Sequence, residues 1–469
     1  MAEFYARRIS DPVHNTIGLS RAEVAVIGTR CFQRLRNIKQ LGLASLVFPG
    51  ADYSRLSHSI GVCHITGRIL EALRLNCPNF KITEAELQEY RLAGLLHDLG
   101  HYPFSHAMQD AIENYCSGGA LAGSEGGGPK EFYKHEVLGG ALLVNDAELR
   151  NVLDTYSIDA SKVADIFRRA GPAKLTNLIS SDLDADRIDY LLRTAHFSGL
   201  PYGAVDLEYL LTQLRLDSMG RICLTRKALR AADHFLLSRY FDYQQVAFHK
   251  TVVALELVLK DVMEVLLTNG IFDCTKAGID TQIANNNWNT FDDAAVWAKI
   301  KELAHITDDP MIKLKAQSLL ARAPAKLVGQ YERLGSEKLY SDFARAGKSL
   351  KRLKGDLAKK YNIDESLWYV WSKPGITLTK VGSHVPAKVI AGGSGARDKD
   401  RYEQAIRILN SQGDDSVDIM SVDQSLMNIL SDNALYVIRL YVLLPPDKLK
   451  NYPNIRTEIC AACTEELAM

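Results

Sequence analysis

Apolar side chains recur at helical spacing through most of the first 260 residues. The runs His58–Leu73 (HSIGVCHITGRILEAL) and Ala85–Leu99 place aliphatic residues three and four apart, and Leu87, Leu92, Leu95, Leu96 and Leu99 would share one buried face. A third amphipathic helix is expected over Asp184–Ala195, ended by Gly199 and Pro201, and a longer one over Lys227–Leu267. Between Cys116 and Lys130 the stretch CSGGALAGSEGGGPK is too rich in glycine to hold a conformation of its own, and reads as a surface insertion, with a lid as the alternative. No repeat of 20–50 residues is evident.

The pattern changes in the second half. Residues 299–361 are charge-rich and helical in spacing, and KSLKRLKGDLAKKY reads as a solvated helix face. Beyond Trp371, the segments ITLTKV, KVIAG and LYVIRLYVLL have strand composition, separated by GGSG and PPD, with a helix expected over Asp398–Ser411. The expected architecture is mainly α: a helical body over residues 1–365, then a smaller α+β lobe over 366–469.

Composition narrows the function classes. In 469 residues, 56 Lys and Arg balance 56 Asp and Glu, which excludes an extended cationic surface for coating nucleic acid. No apolar run approaches the ~18–20 residues of a membrane-spanning helix, and the segment MAEFYARRISDPVHN lacks a signal-peptide apolar region. Eight scattered cysteines do not make a disulfide framework, and the one CxxC pair, Cys460 and Cys463, lacks the second pair a zinc ribbon requires. A cytoplasmic protein is expected, with no membrane partner.

The chemistry concentrates in LLHDLGHYPFSH, which holds His97, Asp98, His101 and His106. On a continuing helix, His97 and His101 would share a face, with Asp98 turned about 100° away. One such histidine is ordinarily a satisfied core residue. Three of them with an aspartate behind an apolar run need pairing or a cation to offset burial, and a mixed nitrogen and oxygen set suits iron, manganese, zinc or a similar metal. Further ligands must come from elsewhere, and His58 in SRLSHSIGV and Asp184, Asp186 and Asp189 in SSDLDADRIDYLLR qualify.

With these residues in order, the sequence resembles the HD-domain phosphohydrolases, and among them the deoxynucleoside triphosphate triphosphohydrolases, including the animal enzyme that joins a sterile-alpha-motif to an HD domain. The resemblance runs from about Asp11 to Lys250 through FQRLRNIKQLG, VFPGADYSRLSHSIGV, LLHDLGHYPFSH and DLDADRIDYLLRTAHFSG. It implies an HD-domain helical core and one divalent metal per subunit (Fe, Mn, Zn, Ni or Mg), held by His58, His97, Asp98 and Asp186. It implies catalytic roles for His106 and His135, with His101 and Glu136 beside them. Arg55, Arg187, Arg239 and Lys250 match phosphate-binding cations, and Gln40 and Tyr190 match residues around the sugar. Such a site would combine Lewis-acid chemistry with a histidine titrating near neutral pH as proton donor. The cations would neutralise a triphosphate.

Three positions depart from the family pattern. Thr194 stands where relatives place an aspartate on the sugar 3′ hydroxyl, and Tyr243 stands where a histidine is usual. Gly28 occupies the place of an aspartate that reads an activating guanine nucleotide in the animal enzyme. The resemblance implies a nucleotide substrate, hydrolysis of deoxynucleoside triphosphates to nucleoside and triphosphate, a homo-oligomer (dimer or tetramer) and a nucleotide effector. The departures keep two other readings in play: an HD phosphohydrolase of ribonucleotides, monophosphates or short oligonucleotides, and a non-enzymatic nucleotide sensor.

Overall fold

The computed structural model describes residues 5–117, 132–169, 175, 177–377, 404–410, 415–450 and 452–468. The chain opens with a hairpin, Arg7–Asp11 paired antiparallel with Asn15–Leu19 in the register Ile9↔Ile17. Helices then dominate. The helix Arg55–Asn76 starts at Ser54, whose hydroxyl accepts from the Ser57 amide, and the helix Glu84–Leu96 starts at a reciprocal Thr83–Glu86 capping box. Asp184 caps Ala185–Ser198 by accepting from the Arg187 amide, and Gly199 ends that helix at φ 72°, a conformation glycine adopts without strain. The helix Arg55–Asn76 packs against both of the others. Val62, Ile65, Ile69, Leu92, Leu95, Leu96, Leu99 and Leu191, each at most 3% exposed, build the seam that holds the site.

The C-terminal region is organised by a three-stranded antiparallel sheet in which Ala434–Val442 lies between Lys326–Gly335 and Trp368–Ile376. The middle strand is buried along both faces, which fits its mostly apolar sequence, interrupted by Arg439. The helices Tyr340–Tyr361 and Tyr452–Ala468 pack against this sheet. The last helix carries Cys460, whose thiol points to the Val328 carbonyl. A second sheet of four short strands joins Leu214–Leu216 and Ile222–Leu224 to Arg407–Leu409 and Ser416–Asp418. The chain is thus mainly α, with its sheets small and concentrated toward the C-terminus.

Several expectations are corrected. The helix expected to run through Leu99 stops at Leu96, and His97–Gly100 form turns in which the Leu99 amide bonds to Leu96 and that of His101 to Asp98. The long helix expected over Lys227–Leu267 is three pieces: Leu229–Asp242, a π-helical turn over Tyr243–Ala247, and Lys250–Thr268. Lys326–Gly335 is a strand inside a stretch read as helical, because its cross-strand partner lies a hundred residues on and leaves no local trace. Part of the helix expected over Asp398–Ser411 is instead the strand Arg407–Leu409. The glycine-rich stretch and the segment KVIAG lie outside the described residues.

Gly100 sets how closely the turn His97–Gly100 meets the helix His135–Asn145. A Cβ there would stand 2.1 Å from the His135 carbonyl oxygen and 2.4 Å from the Gly139 amide, both of them backbone. Gly100→Ala should therefore cost about 1–3 kcal/mol of stability, read as a lowered urea midpoint at unchanged slope. An unshifted midpoint would show that the two segments do not pack this way.

Candidate metal and catalytic site

Five pieces of chain converge on a cavity of about 280 Å³. Arg55 and His58 come from the first turn of the helix Arg55–Asn76, and Asp186 comes from the first turn of Ala185–Ser198. His97 and Asp98 follow the end of Glu84–Leu96, where the break in the helix turns both toward the others. His106 and His135 each open a helix across the cavity.

His58, His97 and Asp186 form a group whose donor atoms all lie within 4.8 Å of one another. His58 Nε2 is 3.0 Å from Asp186 Oδ1, and His97 Nε2 is 3.7 Å from the same oxygen. Two donors each about 2.0–2.2 Å from one ion are separated by about 3–3.5 Å, so the spacing fits a shared divalent cation. The tautomers fit as well. His97 Nδ1 donates to the Gly94 carbonyl at 2.8 Å, leaving Nε2 buried without a hydrogen-bond partner and aimed at the acids. His58 Nδ1 donates to Asp189 Oδ2 at 2.7 Å, which turns its Nε2 toward Asp186. In the metal-free protein burial opposes the charged form of His58, but its bonds to Asp186 and Asp189 outweigh that and push it up to about 9.

Asp98 borders this group. Its Oδ1 lies 3.3 Å from His97 Nε2, and its Oδ2 lies 3.7 Å from His58 Nε2 and 2.5 Å from Arg55 Nη1. Burial would raise its pKa, but Arg55, His97 and His101 hold it well below the usual carboxylate range.

The other histidines gather beyond Asp98. His101 stacks on His135 with ring centroids 3.8 Å apart, and His106 meets both edge-on at 5.3 and 5.8 Å. Gln109 accepts from the His135 backbone amide at 3.3 Å and lies 3.0 Å from its Nδ1, while Glu136 reaches to 3.5 Å of the same nitrogen. His106 is exposed as a residue, with its ring edge-on to those of His101 and His135. Loss of solvent around the ring, then the charges of Arg55 and His135, lowers its pKa to about 4.

Around the same cavity stand Gln40, Arg187, Tyr190 and Tyr243. Gln40 Oε1 and the Tyr190 hydroxyl are buried without a hydrogen-bond partner. Arg187 and Arg239 share one carboxylate oxygen of Asp182, at 3.0 and 3.2 Å, and Arg239 lies 5.6 Å from the Tyr243 ring centroid. Arg239 therefore backs the wall through Asp182 and Tyr243 and is not itself part of the cavity lining. Thr194 is fully buried and bonded to the Tyr53 hydroxyl at 2.8 Å, away from the lining, and Lys250 is exposed at the start of its own helix.

Reading the sequence alone missed Gln109, Asp182, Arg193 and His14. Gln109 sits one turn after His106 and was the most accessible of these, since i and i+3 share a helix face. Arg193 lies one helical turn beyond Asp189 and Asp182 five residues before Arg187, so their spacing also offered a signal, whereas His14 reaches Asp189 across 175 residues. Asp184, weighed as a ligand, instead caps its helix, and burial pushes it up to about 6.

Residues 55–194 match the HD domain family. Over 257 residues the chain is 35% identical to the uncharacterized protein YwfO of Bacillus subtilis, covering 54% of each chain. Over 264 residues it is 30% identical to the deoxynucleoside triphosphate triphosphohydrolase SAMHD1 homolog of Dictyostelium discoideum, covering 54% of this chain and 48% of that protein. The chain thus spans about half the length of these curated relatives. Among solved structures, a phosphohydrolase from Bacteroides thetaiotaomicron shares the fold at a TM-score of 0.69 and 22% identity, over 93% of this chain and 100% of that one. A hypothetical protein from Aquifex aeolicus does so at 0.69 and 24%, over 97% and 99%. No helix among the described residues is long and apolar enough to cross a membrane. The chain thus carries a stretch, residues 55–194, similar to HD domains, shares its fold with these two solved structures, and has deoxynucleoside triphosphate triphosphohydrolases among its sequence relatives.

Proposed function

We propose that this chain is a metal-dependent phosphohydrolase that cleaves deoxynucleoside triphosphates into nucleoside and triphosphate. The observation that carries the reading is one cavity that joins the His58, His97 and Asp186 donor group to a three-histidine cluster and to two arginines. His58, His97 and Asp186 would hold the cation, with Asp98 as the fourth ligand at its edge. A bound divalent ion supplies Lewis-acid polarisation of a phosphoryl oxygen and a water of lowered pKa.

The protein's own groups do the remaining work. Arg55 and Arg187 would bind phosphate oxygens, Arg offering the paired donors that fit them, with Arg239 supporting Arg187 through Asp182. Lys250, outside the cavity wall, would add longer-range attraction for the polyanion. Desolvation and then the charge of Arg55 keep His106 neutral, and a triphosphate brought against Arg55 would offset the second of these and raise the pKa of that ring. His106 could then donate a proton to the departing nucleoside 5′ oxygen, with His101, His135 and Glu136 fixing its setting. Tyr190 and Gln40 bring unpaired polar atoms to the place where a sugar would lie. The wider reading is of a cytoplasmic homo-oligomer with a nucleotide effector.

A second reading, hydrolysis of ribonucleotides or monophosphates, draws on one contact. Thr194 is committed to Tyr53 and lies outside the cavity lining, so it offers the sugar 3′ hydroxyl no partner there.

Purified protein incubated with Mn²⁺ and each nucleotide should release intact triphosphate from deoxynucleoside triphosphates, and a chelator should abolish the release. Release of monophosphate or inorganic phosphate alone would overturn the assigned cleavage, and faster turnover of GTP than of dGTP would favour the second reading. Asp186→Ala should lower turnover at least about a hundredfold, the scale of losing several kcal/mol of Lewis-acid stabilisation. His106→Asn should reduce kcat about 10²–10⁴-fold with KM little changed. A KM effect alone would make that ring a binding group.

A further inference from the structure

The carboxylate of Asp189 is wholly buried and accepts four hydrogen bonds. Oδ2 takes one from His58 Nδ1 at 2.7 Å and one from Arg193 Nε at 2.9 Å. Oδ1 takes one from His14 Nε2 at 2.6 Å and one from Arg193 Nη2 at 2.9 Å. An ionised carboxylate only accepts, so both facing ring nitrogens carry protons. Arg193 also reaches the N-terminal hairpin, where its Nη1 bonds Asp11 Oδ2 at 2.9 Å. Asp11 Oδ1 in turn accepts from the Val13 and His14 amides at 2.9 Å each, curling the turn that carries His14 to Asp189.

The His58 helix leaves room for this hub at one residue. Gly61 lies one turn beyond His58, and a Cβ on it would stand 1.8 Å from Asp189 Oδ1 and 2.5 Å from Arg193 Nη2. A buried ion pair serving packing alone would need only Asp189 and Arg193. Here the carboxylate is also aimed at the far nitrogen of a ring whose near nitrogen belongs to the donor group, and two hairpin residues hold that aim. A partner on the second ring nitrogen fixes the tautomer and ring orientation of a ligating histidine.

We infer that Asp189, held by Arg193 and by His14 of the hairpin, is a positioning residue that presents the His58 lone pair to a divalent cation, so that the N-terminal hairpin is part of the metal centre. The inference rests on reading His58, His97 and Asp186 as metal ligands.

The test strips the full chain with a chelator and titrates Co²⁺ and Mn²⁺ against a chromophoric competitor, recording the cobalt visible spectrum at saturation. The wild-type chain should take up one equivalent. Asp189→Asn, compared at matched far-UV circular dichroism, should bind about 10–100-fold more weakly and shift the cobalt bands. His14→Gln keeps the Asp189–His58 bond but loosens its support, and should weaken binding by a smaller factor within about tenfold. That variant decides the matter if Asp189→Asn does not fold. Folded variants with wild-type affinity and spectrum would overturn the inference while leaving the metal reading intact. A wild-type chain that takes up no cation would overturn the metal reading itself.

Discussion

Taking an ionised side chain out of water costs several kcal/mol, and breaking a buried pair by removing one partner leaves that cost exposed. Where the helices Arg55–Asn76 and Ala185–Ser198 meet the turn at His97, many charged groups are buried within one region, and the arrangement follows from pairing them. Asp98 is met by Arg55 and His101, Asp186 by His58 and His97, Asp189 by Arg193 and His14, and Asp182 by Arg187 and Arg239. Among the described residues, His97 Nε2 is one of several buried polar atoms here without a hydrogen-bond partner, and it alone of them has its lone pair between the carboxylates of Asp98 and Asp186, an arrangement that a shared cation would complete. A chain of zero net charge can therefore present a focused cationic site to a small polyanion.

The cavity is also tied to the rest of the molecule. The Asp182 amide bonds to the Gln404 carbonyl, so the residue shared by two arginines is anchored to the segment leading into the strand Arg407–Leu409. Tyr243 belongs to a π-helical turn, and its ring stacks on Phe248, which in turn lies 5.5 Å from Trp371 of the three-stranded sheet. Arg439 of the central strand bonds the Phe248 carbonyl at 2.6 Å. The C-terminal region thus supports the wall that carries Tyr243.

Much of this was legible in the sequence where the signal is local. Helical spacing located the His58 and Asp186 helices, and the structure brings together His58, His97 and Asp186, three of the four residues that the resemblance singled out as ligands. The misses share a physical origin. The helix before His97 ends because its last turn tightens toward the site, although Leu99 keeps the apolar spacing going. The strand Lys326–Gly335 depends on a partner at Ala434–Val442. His14 lies 175 residues from Asp189, and Tyr53 lies 141 from Thr194, so no spacing rule could couple either pair. Thr194 matched a sugar-contacting position by alignment alone, and its hydroxyl is used inside the fold.

The central claim is that this cluster of buried charge is completed by one divalent cation between His58, His97 and Asp186. Crystals of the chain grown with Mn²⁺, measured at the manganese absorption edge, test it most directly. The account predicts a single anomalous peak per subunit within bonding distance of both Nε2 atoms and of Asp186 Oδ1. An empty position there, or a peak held by other side chains, would contradict it.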